Sequence, residues 1–135
     1  RVVPDNIRYV KEMGKDIDKI NMFFTDMEAR KRMRASLGQI PGILVTSSIP
    51  NNLEINAAGA DKGSALLRLA EFLGIGREET MAFGDGENDL SMLRAAGLGV
   101  AMENGEEQVK EAADFVTVSN NDAGVASAIR KFVLE

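Results

Sequence analysis

From residue 64 onward the chain alternates helix-patterned and strand-like segments joined by short links, and this rhythm restricts the fold more than any other feature. Residues 64–73 carry Leu66, Leu67, Leu69, Ala70 and Leu73, an apolar stripe at helical spacing, with Gly74 as its stop. Thr80-Met81-Ala82-Phe83 is a short apolar run ending at Gly84, the pattern of a buried strand. Residues 89–96 read as a helix with Leu90, Leu93 and Ala96 on one face, and 98–102 as a second strand. Residues 106–113 predict a helix with Asn104 near its start, and 115–118 a third strand. Residues 123–133 predict a last helix, capped by Asn121 or Asp122, with Val125, Ala128, Ile129 and Phe132 inward. Such alternation calls for an α/β fold with a parallel sheet covered on both faces.

The first part has a different rhythm. Residues 7–13 predict a short helix stopped by Gly14, and 20–24 a strand. Thr25-Asp26-Met27-Glu28 has the form of a capping box opening a helix to about residue 37. Residues 43–46 and 53–56 read as strands around a polar turn at Pro50-Asn51-Asn52. Met27 and Met33 are expected in the core. The pattern describes a small α+β lobe with an antiparallel sheet. Charge follows the same division: residues 1–58 hold nine Lys/Arg against seven Asp/Glu, and residues 59–135 seven against fourteen. Two units are expected, at 1–57 and 58–135.

Composition narrows the chemistry. The 135 residues include no cysteine and no histidine, which removes thiolate and imidazole catalysis, Ser-His-Asp triads and thiolate or imidazole zinc sites. What is left is carboxylates, lysine, amides, hydroxyls and a hard metal ion. A net charge of −5, 5% aromatics and no Trp argue against nucleic-acid partners. No apolar run approaches the roughly 20 residues of a membrane span. The lack of cysteine fits the cytoplasm, which is the expected location.

The segment that carries chemistry is Gly84-Asp85-Gly86-Glu87-Asn88-Asp89, between a predicted strand and a predicted helix. In parallel α/β sheets ligands bind at the carboxyl ends of strands. Acids and an amide beside helix N-terminal amides can serve a hard cation and an anion together. The bland reading is a surface turn with acidic caps. A dinucleotide fingerprint fails, because Asp89 stands where its third glycine belongs. An EF-hand loop fails at Leu90 and Ala96, and no Walker A spacing is present. Lys62, in Asp61-Lys62-Gly63-Ser64, is either a solvated surface residue or a clamp for phosphate and the nearby carboxylates. Arg30, Lys31, Arg32 and Arg34 are either a solvated basic face or an attractant for anionic substrates. Asn52 and Glu54 are candidates to face a substrate from the first lobe.

Taken in order, these motifs resemble a known family. Lys62-Gly63 before a helix is followed by Gly84-Asp-Gly-Glu-Asn-Asp-Leu-Ser-Met-Leu93. Then come Gly99-Val-Ala-Met-Glu-Asn-Gly105, Lys110-Glu-Ala-Ala-Asp-Phe-Val-Thr117 and the tail Ser119-Asn-Asn-Asp-Ala-Gly-Val-Ala126. The set resembles the haloacid dehalogenase superfamily, most of all its Cof-type branch of sugar-phosphate phosphatases, over nearly all of residues 54–135. Residues 1–53 resemble the latter part of that branch's mixed α/β cap. The resemblance implies a Rossmann-like core and hydrolysis of phosphate monoesters through an aspartyl-phosphate with Mg²⁺. It implies Asp85 as a magnesium ligand. It implies that Asp89 supports the metal, directly or through water, or holds Lys62. Lys62 would neutralise the phosphoryl group and the nucleophile, and Asn88 would hydrogen-bond the phosphate or an adjacent substrate oxygen. Glu87 stands at a variable position and receives no role.

One departure matters. The family's first motif, Asp-x-Asp-x-Thr after an apolar strand, is absent; Asp16-Ile17-Asp18 lacks both the strand before it and the Gly-Thr after it. The chain, which begins at Arg1, is therefore expected to be the C-terminal part of a phosphatase. It would be inactive by itself, with an upstream segment or a complementary chain supplying the nucleophile to act on a small phosphorylated metabolite. The alternatives are a non-catalytic module that binds phosphate or metal, and a subunit completed by another chain.

Overall fold

The computed structural model describes residues 4–134. Two three-stranded sheets organise them. In the first, strands β1 (Ile20–Phe23), β2 (Ile43–Thr46) and β3 (Asn52–Ala57) run antiparallel in the order β1-β3-β2. Ile20 pairs with Ile55, and Val45 pairs with the same residue from the other side. Helix α1 (Asn6–Met13) precedes this sheet, with Asp5 accepting the Arg8 N–H at 3.0 Å and Gly14 closing it at φ 59°.

Helix α2 (Met27–Leu37) packs on β2 and β3. Its cap is Asp26, not the expected box on Thr25. One Asp26 carboxylate oxygen accepts from both the Glu28 N–H at 2.9 Å and the Ala29 N–H at 3.1 Å. An ionised acceptor at this end also meets the positive end of the helix dipole. Arg30 binds the helix to the β2–β3 turn, through the Asn52 carbonyl and Ser47 Oγ, both at 2.9 Å. Met27 and Met33 are 48% and 37% exposed, against the expectation of a core position. The side of α2 that packs inward is used by Arg30 and Leu37 instead, both half-buried.

The second sheet is parallel, in the order β4 (Met81–Gly84), β5 (Leu98–Met102), β6 (Phe115–Thr117). Helices α3 (Lys62–Leu73), α4 (Leu90–Ala95), α5 (Glu107–Ala112) and α6 (Gly124–Ile129) accompany it, α6 widening into a π-turn over Arg130–Leu134. This is the α/β architecture expected from the alternation. Ala82, Leu93, Ala96, Ala101 and Val109 form the buried core. Three of these five are alanines, and α4 and α5 pack directly on the sheet.

Several local expectations are corrected. Helix α3 begins at Lys62 rather than at 64, capped by Asp61. Its stripe divides: Ala70 is buried and Leu66 half-buried against the core, but Leu67, Leu69 and Leu73 are 40%, 56% and 57% exposed. The helix expected over 89–96 is α4 over Leu90–Ala95, preceded by a 3₁₀ turn over Glu87–Asp89 whose last residue, Asp89, is buried. Helix α6 has no side-chain cap from Asn121 or Asp122; Ala123, at φ 57°, enters it. Val125 and Phe132 are each 42% exposed, and Phe132 stacks edge-on against Phe115 with ring centres 5.0 Å apart. Asn104 does not cap α5. Its Oδ1 accepts the Asn120 N–H at 2.8 Å and so joins two loops at the carboxyl end of the sheet. No helix of the described residues is long and apolar enough to cross a membrane.

Candidate active site

Strand β4 ends at Gly84, and the loop beyond it turns back within a few residues. Asp89 makes that turn. Its buried carboxylate accepts the Asp85 N–H at 3.1 Å and the Gly86 N–H at 3.2 Å on one oxygen. A side chain on Gly84 would collide with the Asp89 carboxylate, so only glycine lets the acid fold under the strand end. Opposite, the Glu106 N–H donates to the Asp85 carbonyl at 3.0 Å. The Asp85 backbone is thus fixed from two sides. Its carboxylate is exposed and takes no hydrogen bond from the described residues.

The other Asp89 oxygen receives the Lys62 ammonium. Lys62 is the first residue of α3. Asp61 caps that helix, accepting the Ser64 N–H at 3.0 Å and the Ser64 hydroxyl at 2.8 Å. Those two donors hold the Asp61 carboxyl below its ordinary value. The next residue, Gly63, donates its N–H to Ser91 Oγ at 3.1 Å, and a side chain there would strike the Ser91 carbonyl. The Lys-Gly pair therefore seats α3 directly on α4, bringing the lysine to Asp89.

Of the residues expected to act together, Lys62 and Asp89 are in contact, and Asp85 is tied to Asp89 through its backbone. Asn88 is half-buried and lines, with Lys62 and Ser91, a cavity of about 680 Å³ that reaches across to the first sheet. Lys19, Glu54 and Asn56 form part of its opposite wall. Glu54 is paired with Lys19 at 2.8 Å and takes a hydrogen bond from Ser48, contacts that hold its carboxyl below the ordinary value. Asn52 does not face the cavity; it is buried, and its Oδ1 accepts from Ser48 and Ile49 N–H within its own turn. Asp16 and Asp18 lie elsewhere, lining a hollow beside α1.

Two contributors were not read from the sequence, and a third, Arg34, was read only as part of a basic cluster. Ser91 and Glu106 support the site through single hydrogen bonds, and only Glu106 had a clue, its place after Asn104-Gly105 at the end of a strand. Arg34 binds Glu87 through both terminal guanidinium nitrogens, across 53 residues of sequence. No spacing rule predicts such a contact.

The order and geometry of Lys62, Gly84, Asp85 and Asp89 agree with a family match to haloacid dehalogenase-like hydrolases over residues 2–129. The chain belongs to the haloacid dehalogenase-like hydrolase family. It is 42% identical over 116 residues to a 5-amino-6-(5-phospho-D-ribitylamino)uracil phosphatase of Bacillus subtilis, covering 86% of this chain and 47% of that protein. A haloacid dehalogenase-like hydrolase structure from B. subtilis superposes with a TM-score of 0.83 at 37% identity, over 93% of this chain and 45% of the other. A subclass IIB sugar phosphatase of the superfamily gives a TM-score of 0.80 at 34% identity, over 92% and 46%. These neighbours bear out the Cof-type resemblance. The chain spans about half the length of the curated relatives it matches.

Proposed function

We propose that the Lys62, Asp85, Asn88 and Asp89 cluster is part of the active site of a phosphatase. It would hydrolyse small phosphate monoesters, sugar phosphates among them, through an aspartyl-phosphate. The observation that carries this reading is the Lys62–Asp89 pair at the carboxyl end of a parallel sheet, beside the open carboxylate of Asp85. Phosphoryl transfer needs placed charge more than an imidazole, so a chain without histidine is suited to it. Lys62 holds a phosphoryl oxygen and lowers the repulsion between phosphate and an attacking carboxylate. Asp89 sets the position of that ammonium. Asn88 donates its amide to the phosphate or a neighbouring substrate oxygen.

Asp85 is the residue for magnesium. Its carboxylate is a hard oxygen donor, which fits the ion. Among the described residues no group of three or more carboxylates could hold a metal, so Asp85 supplies one ligand of several. Bound there, magnesium would offset charge on the phosphoryl oxygens. The nucleophile belongs, on this reading, to sequence outside these residues or to a complementary chain. Residues 1–57 act as part of a cap and 58–135 as part of the catalytic core, working in the cytoplasm.

The test is magnesium-dependent hydrolysis of p-nitrophenyl phosphate. The full-length protein should turn over and lose activity with Asp85→Ala, while the 135 residues alone should show none. Unchanged turnover in Asp85→Ala would remove the metal assignment, and activity from the 135 residues would overturn the placement of the nucleophile.

A further inference from the structure

The two sheets are joined by the short stretch 58–61, in which Gly59 takes a positive φ of 80° with open space around it. Among the described residues no helix or strand of the first lobe packs extensively on one of the second. The ion pairs of the described residues stay within one lobe, except that of Arg34 with Glu87. Arg34 lies in the last turn of α2, on the first lobe. Glu87 lies between Asp85 and Asn88, in the loop of the candidate site. The contact is a two-pronged fork, half-shielded from water, with the Arg34 side chain 35% exposed and that of Glu87 21%. Such a fork fixes orientation as well as distance, which a lysine could not do.

We propose that Arg34 and Glu87 form a latch that holds the first lobe over the Gly84–Asp89 loop, making Arg34 a positioning residue for the site. Three observations support it. The lobes have little other packing to fix their angle. The fork joins a rigid helix to the loop that carries Asp85 and Asn88. The cavity of about 680 Å³ bounded by Lys62 and Asn88 has its far wall on the first lobe, so its width follows the lobe angle that the fork sets. Glu87, which the sequence leaves without a role, thereby acquires one. The latch itself is a statement about geometry; its consequence for catalysis rests on the phosphatase reading above.

The chain has no cysteine, so two introduced cysteines take spin labels at chosen points only. Labels at Lys31→Cys on α2 and Glu111→Cys on α5, both exposed, report the angle between lobes by pulsed electron resonance. With Arg34 and Glu87 intact the distance distribution should be narrow. Arg34→Ala and Glu87→Ala should each widen it about twofold or more, and the exchange Arg34→Glu with Glu87→Arg should narrow it again. Arg34→Lys keeps the charge and loses the fork, and should give an intermediate width, which guards against a variant that fails to fold. Widths unchanged in the single variants, or an exchange no narrower than they are, would overturn the latch. In the full-length protein, Arg34→Ala should raise KM about tenfold with a smaller change in kcat. A widened distribution with no hydrolysis by any form would leave the latch standing and remove the phosphatase reading. Hydrolysis with unchanged widths would do the reverse.

Discussion

Lys62 and Asp89 meet as an ion pair across 27 residues of sequence, with the lysine side chain about half exposed and the aspartate buried. The asymmetry is informative. Asp89 has given up water and is repaid by three donors: the Lys62 ammonium and the N–H groups of Asp85 and Gly86. The acid is therefore a structural hub for the loop, and the lysine is its half-exposed, solvent-facing partner.

Removing the hub should loosen the loop. Asp89→Ala leaves two loop N–H groups without their acceptor and Lys62 without its counter-charge. The cost should be about 2 kcal/mol or more in urea unfolding, and Asp89→Asn, which keeps one acceptor, should lose less. Lys62→Ala should instead reduce activity of the full-length protein on the order of a hundredfold, with a smaller loss of stability. A loss under threefold would return Lys62 to an ordinary surface role.

Gly63→Ala should separate α3 from α4. The added methyl would meet the Ser91 carbonyl, which is backbone and cannot swing aside. The expected loss is about 1–3 kcal/mol, visible in the thermal midpoint. A midpoint equal to that of the unaltered chain would show that the helices have room to part without consequence.

Asp61 gives a pH prediction with a definite sign. Its carboxyl is held below the ordinary value of 3.8, chiefly by the Ser64 N–H and next by the Ser64 hydroxyl. The folded pKa is depressed, so the stabilisation is complete above the unfolded value and is lost as pH falls through the folded one. Asp61→Asn should therefore flatten the fall in stability below about pH 4, and Asp61→Ala should cost about 1 kcal/mol at neutral pH. Parallel acid-unfolding curves for Asp61→Asn and the unaltered chain would contradict this.

Glu54 is held below its ordinary 4.5 first by the hydrogen bond from Lys19 and then by that from Ser48. Lys19→Met should move the Glu54 titration upward, followed by carbon-detected NMR of its carboxyl. The stability that this pair contributes is present above pH 4.5 and disappears as pH falls through the depressed value. No movement in Lys19→Met would mean that Ser48 and Asn52 set the titration without the lysine.

Much of this was legible in the order of residues. The alternation from residue 64 onward determined a parallel α/β sheet, because period and turn chemistry are local properties that a strand or helix must satisfy wherever it packs. The motif Gly84-Asp85-Gly86-Glu87-Asn88-Asp89 determined which strand end carries chemistry, and the lack of histidine and cysteine limited that chemistry to carboxylates, amides and lysine. Helix ends were less legible. Asp26 rather than Thr25 caps α2, because neighbouring polar residues compete and the surrounding fold chooses between them; α6 is entered through Ala123 in the left-handed region, with no side-chain cap. The outward turn of Met27, Leu69 and Leu73 was hidden as well, since an apolar stripe says which residues could be buried but not where a packing partner lies. Tertiary structure alone decided that Asp89 holds Lys62 while Asp85 stays open, and that Arg34 reaches Glu87. Those contacts join residues 27 and 53 positions apart, and they form only when close helix packing at Gly63 and the meeting of two lobes bring the charges within reach.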